Sequence, residues 1–353
     1  MKRFLLCSLA FALLGITALA APADSKPTLA FLGQRDGRVE VYSWSVGEAA
    51  PRQLTDIGAS WAADLRWSPD GRRLCVTLNQ EGLGLWVIDA ANGEATRLTP
   101  VEEDALEPRW DADGAILYFS AGSTWPSTAP VWRRQDAPTA DDPELQRIYR
   151  VPAAGGDITA ITGPGRYFDL APAPGGGVIF GEDLGDGTSR LVHAGRDGTV
   201  VRYWEPQAGA WLGAPAPFGE ALAAEQLIGW DASLALLSNG DCRTFAHDHL
   251  AWFPTWSPDG KGILAETVFN DRRAILWADP GRGTTRLWGR PSGDWNEWNP
   301  QWSPDAKLVA YTSDNGGKWR VCVATRSGRD LAASPDNFER GYAGVFRPQG
   351  GAR

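Results

Sequence analysis

The sequence predicts an all-β protein, a β-propeller of seven four-stranded blades. Three observations carry this expectation. A short Trp-Ser-Pro-Asp-Gly segment recurs along the 353 residues at nearly even intervals. Each copy is followed by β-branched and aromatic runs of strand length, separated by turns rich in Gly and Asp. The composition, with 41 Gly, 25 Pro and 18 Trp beside a single Met, suits many short strands joined by turns.

The strong copies are Trp67-Ser68-Pro69-Asp70-Gly71, Trp256-Ser257-Pro258-Asp259-Gly260 and Trp302-Ser303-Pro304-Asp305-Ala306. Trp110-Asp111-Ala112-Asp113-Gly114 is weaker, and degenerate copies begin at Pro172, Pro215 and Phe346. The intervals between copies are 43, 62, 43, 41, 46 and 44 residues, so the one long interval marks an insertion, placed at about 121–145. Ser, Pro and Gly stand where a type I turn favours them. The runs that follow, such as 73–78, 85–89 and 97–99, read as strands B, C and D. Strand A ends on the Trp, whose ring is large enough to fill the space between adjacent sheets. Residues 28–55 hold strands B, C and D with no turn motif before them, and the C-terminus supplies a strand A and then stops. Pairing the N-terminal strands with the C-terminal strand closes the ring and removes the free edges of an open array. A single domain over 28–353 follows.

The pattern WSPDG, then a strand, then I/L-x-V-x-D, then Leu-Thr resembles the repeat of the TolB family, a WD40-like (PD40) propeller repeat. A similar repeat occurs in the propeller domains of prolyl-oligopeptidase-like peptidases. The resemblance covers the chain from about Thr28 to Arg353. It implies a non-catalytic propeller that mediates protein–protein contacts in the cell envelope, with an envelope protein or lipoprotein as partner. One departure is visible: the TolB family carries an α/β domain ahead of its propeller, and here the first strand follows closely on the leader. The alternative is a carbohydrate-binding or polysaccharide-lyase-like propeller.

The first 20 residues read as a signal peptide. Lys2 and Arg3 precede an apolar stretch over 4–19, and Ala18-Leu19-Ala20 sets a cut near Ala20/Ala21. A periplasmic or secreted protein is expected, with no stable membrane insertion after cleavage. The net charge of −9 excludes the basic footprint of a nucleic-acid binder. Cys75, Cys242 and Cys322 remain after export, an odd number, and are read as unpaired. No G-x-S-x-G elbow, phosphate loop or dinucleotide fingerprint is present, so neither a catalytic residue nor a cofactor is expected.

Candidate partner-binding residues come from one face, where the B–C and D–A loops emerge. The insertion contributes Trp125, Trp132, Arg133 and Arg134. The D–A loops contribute Trp61, Trp211, Trp252, Phe253, Asp294, Trp295, Glu297 and Trp298. Trp is costly to expose and is enriched where proteins recognise ligands. Packing of these rings onto the blades is the competing reading. His247 and His249, one residue apart, are weak metal candidates.

Overall fold

The computed structural model describes residues 26–101, 104–122, 146–185, 188–204, 210–217, 219, 221–228, 231–238, 241–245, 250–291, 294–335 and 337–348, with the backbone alone at 210–213, 226–228 and 231. Among these, 28 strands form seven antiparallel sheets of four. Blade 1 joins β28 (Arg340–Phe346) to β1 (Thr28–Arg35), β2 (Arg38–Ser45) and β3 (Arg52–Gln53). Blade 2 runs from β4 (Trp61–Trp67) to β7 (Ala95–Arg97), and blade 3 from β8 (Ala105–Trp110) to β11 (Thr159–Ala160). Blade 4 runs from β12 (Arg166–Pro172) to β15 (Val200–Trp204), and blade 5 from β16 (Ala210–Pro215) to β19 (Asp241–Thr244). Blade 6 runs from β20 (Trp252–Trp256) to β23 (Thr284–Leu287), and blade 7 from β24 (Glu297–Trp302) to β27 (Asp330–Ala333). The first strand of each blade contacts that of the next, and β28 contacts β4, so the inner strands close a ring. The expected seven blades and the closure of N-terminal strands on the C-terminal strand are both present.

Each inner strand ends on the repeat position identified from sequence. The turn that follows is held by its own side chains. Ser68 Oγ donates to Asp70 Oδ1 at 2.6 Å, and the Arg73 N–H donates back to Ser68 Oγ at 2.9 Å. Gly71 sits at φ +67°, a conformation that side-chain-bearing residues avoid. In the third strong copy Ala306 takes that place at φ +58°.

The repeat tryptophans join neighbouring blades. Trp67 Nε1 donates to the Val345 carbonyl, Trp110 to Arg66, Trp256 to Ala214 and Trp302 to Thr255, at 3.0–3.2 Å. In these four bonds the acceptor is the penultimate residue of the previous inner strand. Packing supplies the rest, because each of the seven seams holds its own apolar cluster. Apolar area removed from water there is the main stabilising term. Cys75 is fully buried, Cys322 half-buried and Cys242 exposed, and all three are free thiols.

A second regularity was not legible in the repeat. Three residues before the end of an inner strand, the backbone turns left-handed at Asp64, Glu107, Asp169, Phe253, Asn299 and Ala343. The pairing with the second strand slips at the same place in every blade. These are β-bulges, which bend a strand and re-aim the side chain at the bulge.

Candidate functional site

The bulges of blades 2, 3 and 4 carry acidic side chains, and two arginines stand beside them. Asp64 and Arg66 lie on β4, Glu107 and Arg109 on β8, and Asp169 on β12. The network crosses both seams. Arg109 Nη1 is 3.6 Å from Asp64 Oδ1. Arg109 Nε donates to the Leu170 carbonyl at 2.6 Å, and the Leu170 N–H donates to Glu107 Oε2 at 3.2 Å. The backbone of Leu170 in blade 4 is thus held on both its N–H and its carbonyl by charged side chains of blade 3.

Electrostatics sets these groups apart from a solvated surface. Burial pushes the Glu107 carboxyl up, and the neighbouring Asp169 carboxylate pushes it further against the pull of Arg109. Arg66 is lowered to about 10, first by burial and then by the Arg109 guanidinium. Glu107 is therefore raised toward neutral pH beside a second carboxylate and two cations. That is the arrangement of a group able to give and take a proton.

Aromatic rings stand one residue before several of the bulges. Phe168, Trp252, Trp298 and Tyr342 stand four residues before their strands' ends, each half-buried, while blades 2 and 3 have Ala63 and Leu106 there. Trp298 meets Trp319 edge to face at 5.0 Å, and Trp319 meets Tyr342 in the same manner at 6.1 Å. Tyr342 Oη donates to the Ala62 carbonyl on β4 at 3.3 Å, which links the aromatic series to the strand that carries Asp64.

The residues singled out from sequence fall as follows. Trp61 is half-buried at the start of β4, and Asp294 is exposed. Trp295 Nε1 donates to Glu297 Oε1 at 3.2 Å, and burial raises the Glu297 carboxyl. Phe253 is at a bulge, its N–H given to Glu225 Oε1 at 2.7 Å. Trp211 pairs through its backbone with Glu225. Trp125, Trp132, Arg133, Arg134, His247 and His249 lie outside the described residues, as do residues 1–25 and the core of the insertion between β9 (Ile116–Ala121) and β10 (Arg147–Pro152). The structure brings Trp295, Glu297 and Trp298 together. Sequence reading missed Asp64, Arg66, Glu107, Arg109, Asp169 and Trp319. The available signal was an acid-x-Arg-Trp string, present in two successive copies as Asp64-Leu65-Arg66-Trp67 and Glu107-Pro108-Arg109-Trp110.

No family model matches the chain. Over 79 residues it is 37% identical to Uncharacterized peptidase YuxL of Bacillus subtilis, a match that takes in 22% of the chain and 12% of that protein. Among solved structures, an oligogalacturonate lyase in complex with manganese aligns with a TM-score of 0.66 at 19% identity, over 84% of this chain and 85% of that one. The oligogalacturonate lyase of Vibrio parahaemolyticus aligns with a TM-score of 0.65 at 16% identity, over 84% and 86%. TolB of Acinetobacter baumannii aligns with a TM-score of 0.59 at 14% identity, over 93% of this chain and 68% of that one. The fold is thus TolB-like.

The expectations of a non-catalytic envelope-binding propeller and of no enzyme are corrected here. The same fold is shared, over more of the partner chain, with lyases, and the sequence match is to a peptidase. Those expectations rested on the TolB resemblance and on the lack of a catalytic motif in the sequence, and neither reads which charged groups the inner strands bring together. Among the described residues no group of three or more His, Cys, Asp or Glu is disposed to hold a metal ion.

Proposed function

We propose that the chain is a carbohydrate-active, lyase-like propeller that acts on an acidic oligosaccharide at the mouth of its inner strands. The observation that carries this is Glu107, raised toward neutral pH by burial and Asp169 beside Arg109, with aromatic rings next to the bulges of other inner strands. Eliminating a glycosidic bond beside a uronate carboxylate requires three things. A base takes the proton from the carbon next to the carboxylate, a cation steadies the charge that develops there, and an acid protonates the departing oxygen as the C–O bond breaks and the C=C bond forms. The Glu107–Asp169 pair supplies both ends of that proton transfer, and Arg66 and Arg109 supply positive charge. Aromatic faces suit the apolar faces of sugar rings.

Export belongs to the same proposal, supported by Lys2, Arg3 and the apolar stretch before Ala20. Membership of the PD40 repeat family is supported by the three strong copies of the turn motif, two reading WSPDG and one WSPDA. The test is to incubate the purified protein with oligogalacturonates and with neutral oligosaccharides, following the ultraviolet absorbance of an unsaturated uronate product. Absorbance should rise with the acidic series alone and stop in Glu107→Gln. A rise that Glu107→Gln leaves unchanged, or none with any acidic sugar, would refute the reading.

A further inference from the structure

We propose that Arg340, stacked on Trp319, is the subsite that selects an anionic sugar, holding a substrate carboxylate at the seam between blades 7 and 1. This rests on the carbohydrate reading above and names what that site recognises.

Three arginines placed on blade seams are neutralised by carboxylates. Arg326 is paired with Asp259 at 2.7 Å, Arg196 with Asp113 at 2.7 Å and Arg109 with Asp64 at 3.6 Å. Arg340 is exposed, and among the described residues it has no carboxylate within ion-pair distance. Its guanidinium carbon lies 4.7 Å from the centre of the Trp319 ring. Stacking on an indole fixes the plane of a guanidinium and leaves its N–H edge free, the geometry that grips a carboxylate with two hydrogen bonds. In a chain of net charge −9, an unneutralised cation at the mouth gives an approaching anion one place to settle.

The support beneath the pair is rigid. Trp319 ends the loop after β25 (Leu308–Ser313), and its carbonyl accepts the Gly341 N–H at 2.8 Å, tying the loop to β28. Asp314 anchors the loop's start. It accepts the Asn296 N–H at 2.6 Å and the Asn296 side-chain amide at 2.7 Å, and Asn296 in turn accepts the Arg273 N–H at 3.0 Å. The indole is further wedged between Trp298 and Tyr342. A side chain held this way loses little freedom when it binds, so more of the interaction appears as affinity. The position also suits the chemistry. Tyr342, two residues on, reaches β4, the strand that carries Asp64.

The experiment is a titration of the full chain with trigalacturonate and, separately, with its methyl ester, read by tryptophan fluorescence. The wild type is compared with Arg340→Gln and Arg340→Lys, and turnover of trigalacturonate is measured on the same samples. The expected result is about a tenfold loss of trigalacturonate affinity in Arg340→Gln, an unchanged affinity for the ester, and partial recovery in Arg340→Lys. Equal trigalacturonate binding in Arg340→Gln and the wild type would overturn the subsite, and if turnover persists the carbohydrate reading stands without it. A wild type that neither binds nor turns over trigalacturonate would overturn both.

Discussion

Arg109 of blade 3 lies 3.6 Å from the Asp64 carboxylate of blade 2 while donating to the Leu170 carbonyl of blade 4. One guanidinium thus spans three inner strands at the level of their bulges. Beside it Glu107 is raised first by burial and then by the Asp169 carboxylate, against the pull of Arg109.

That shift has a consequence for stability. Glu107 is raised from 4.5 to about 7 in the folded chain, so between those values the native state binds more protons than the unfolded one. The resulting contribution is fully present below the unfolded value and is lost as pH rises through the folded one. Denaturant unfolding of the wild type is expected to weaken by about 1–3 kcal/mol across that window. Glu107→Gln, which cannot ionise, flattens that part of the profile. An unchanged pH slope in the variant would show that Glu107 is not the group responsible.

Trp302 closes the seam between blades 6 and 7. Its ring is buried, packs edge to face on Trp277 at 5.7 Å and donates to the Thr255 carbonyl at 3.2 Å. Trp302→Ala should cost about 3–5 kcal/mol in unfolding free energy. A loss below about 1 kcal/mol would mean that the repeat Trp is not what holds adjacent blades together.

Ala306 holds a left-handed backbone at φ +58° where two strong copies have Gly. Ala306→Gly relieves that strain and should stabilise the chain by about 1 kcal/mol. The reverse change, Gly71→Ala, meets both a positive φ and a Cβ placed 2.9 Å from the Pro348 carbonyl oxygen, and should destabilise. Thermal unfolding of the two variants is expected to move in opposite directions.

The fold was legible because the turn motif is local. Ser, Pro, Asp and Gly satisfy one another within five residues, so the motif survives in sequence wherever the turn does, and its spacing alone locates blades and closure. The site was not legible for the opposite reason. Asp64, Glu107 and Asp169 matter only because a bulge turns each of them at the same height in successive blades. In an unbulged strand an acid at that place reads as a solvated face. Asp169 is hidden further, since its blade aligns on Pro172 with no Trp to mark the register. Trp319 reads from sequence as the start of a strand, whereas β26 (Arg320–Thr325) begins one residue later and leaves the indole on the loop. The aromatic D–A loops, by contrast, were visible as a cluster of Trp, and the structure joins Trp298 to the rings that frame the mouth.

The proposed mouth joins the inner strands of blades 2, 3 and 4 to the aromatic rings of blades 7 and 1 through the Tyr342–Ala62 bond. Amide hydrogen exchange of the full chain, with and without saturating trigalacturonate, tests this most directly. The account predicts slowed exchange at the bulges of β4, β8 and β12 and in the loop 314–319, with the WSPDG turns on the opposite face unaffected. Protection confined to those turns, or none at the bulges, would contradict it.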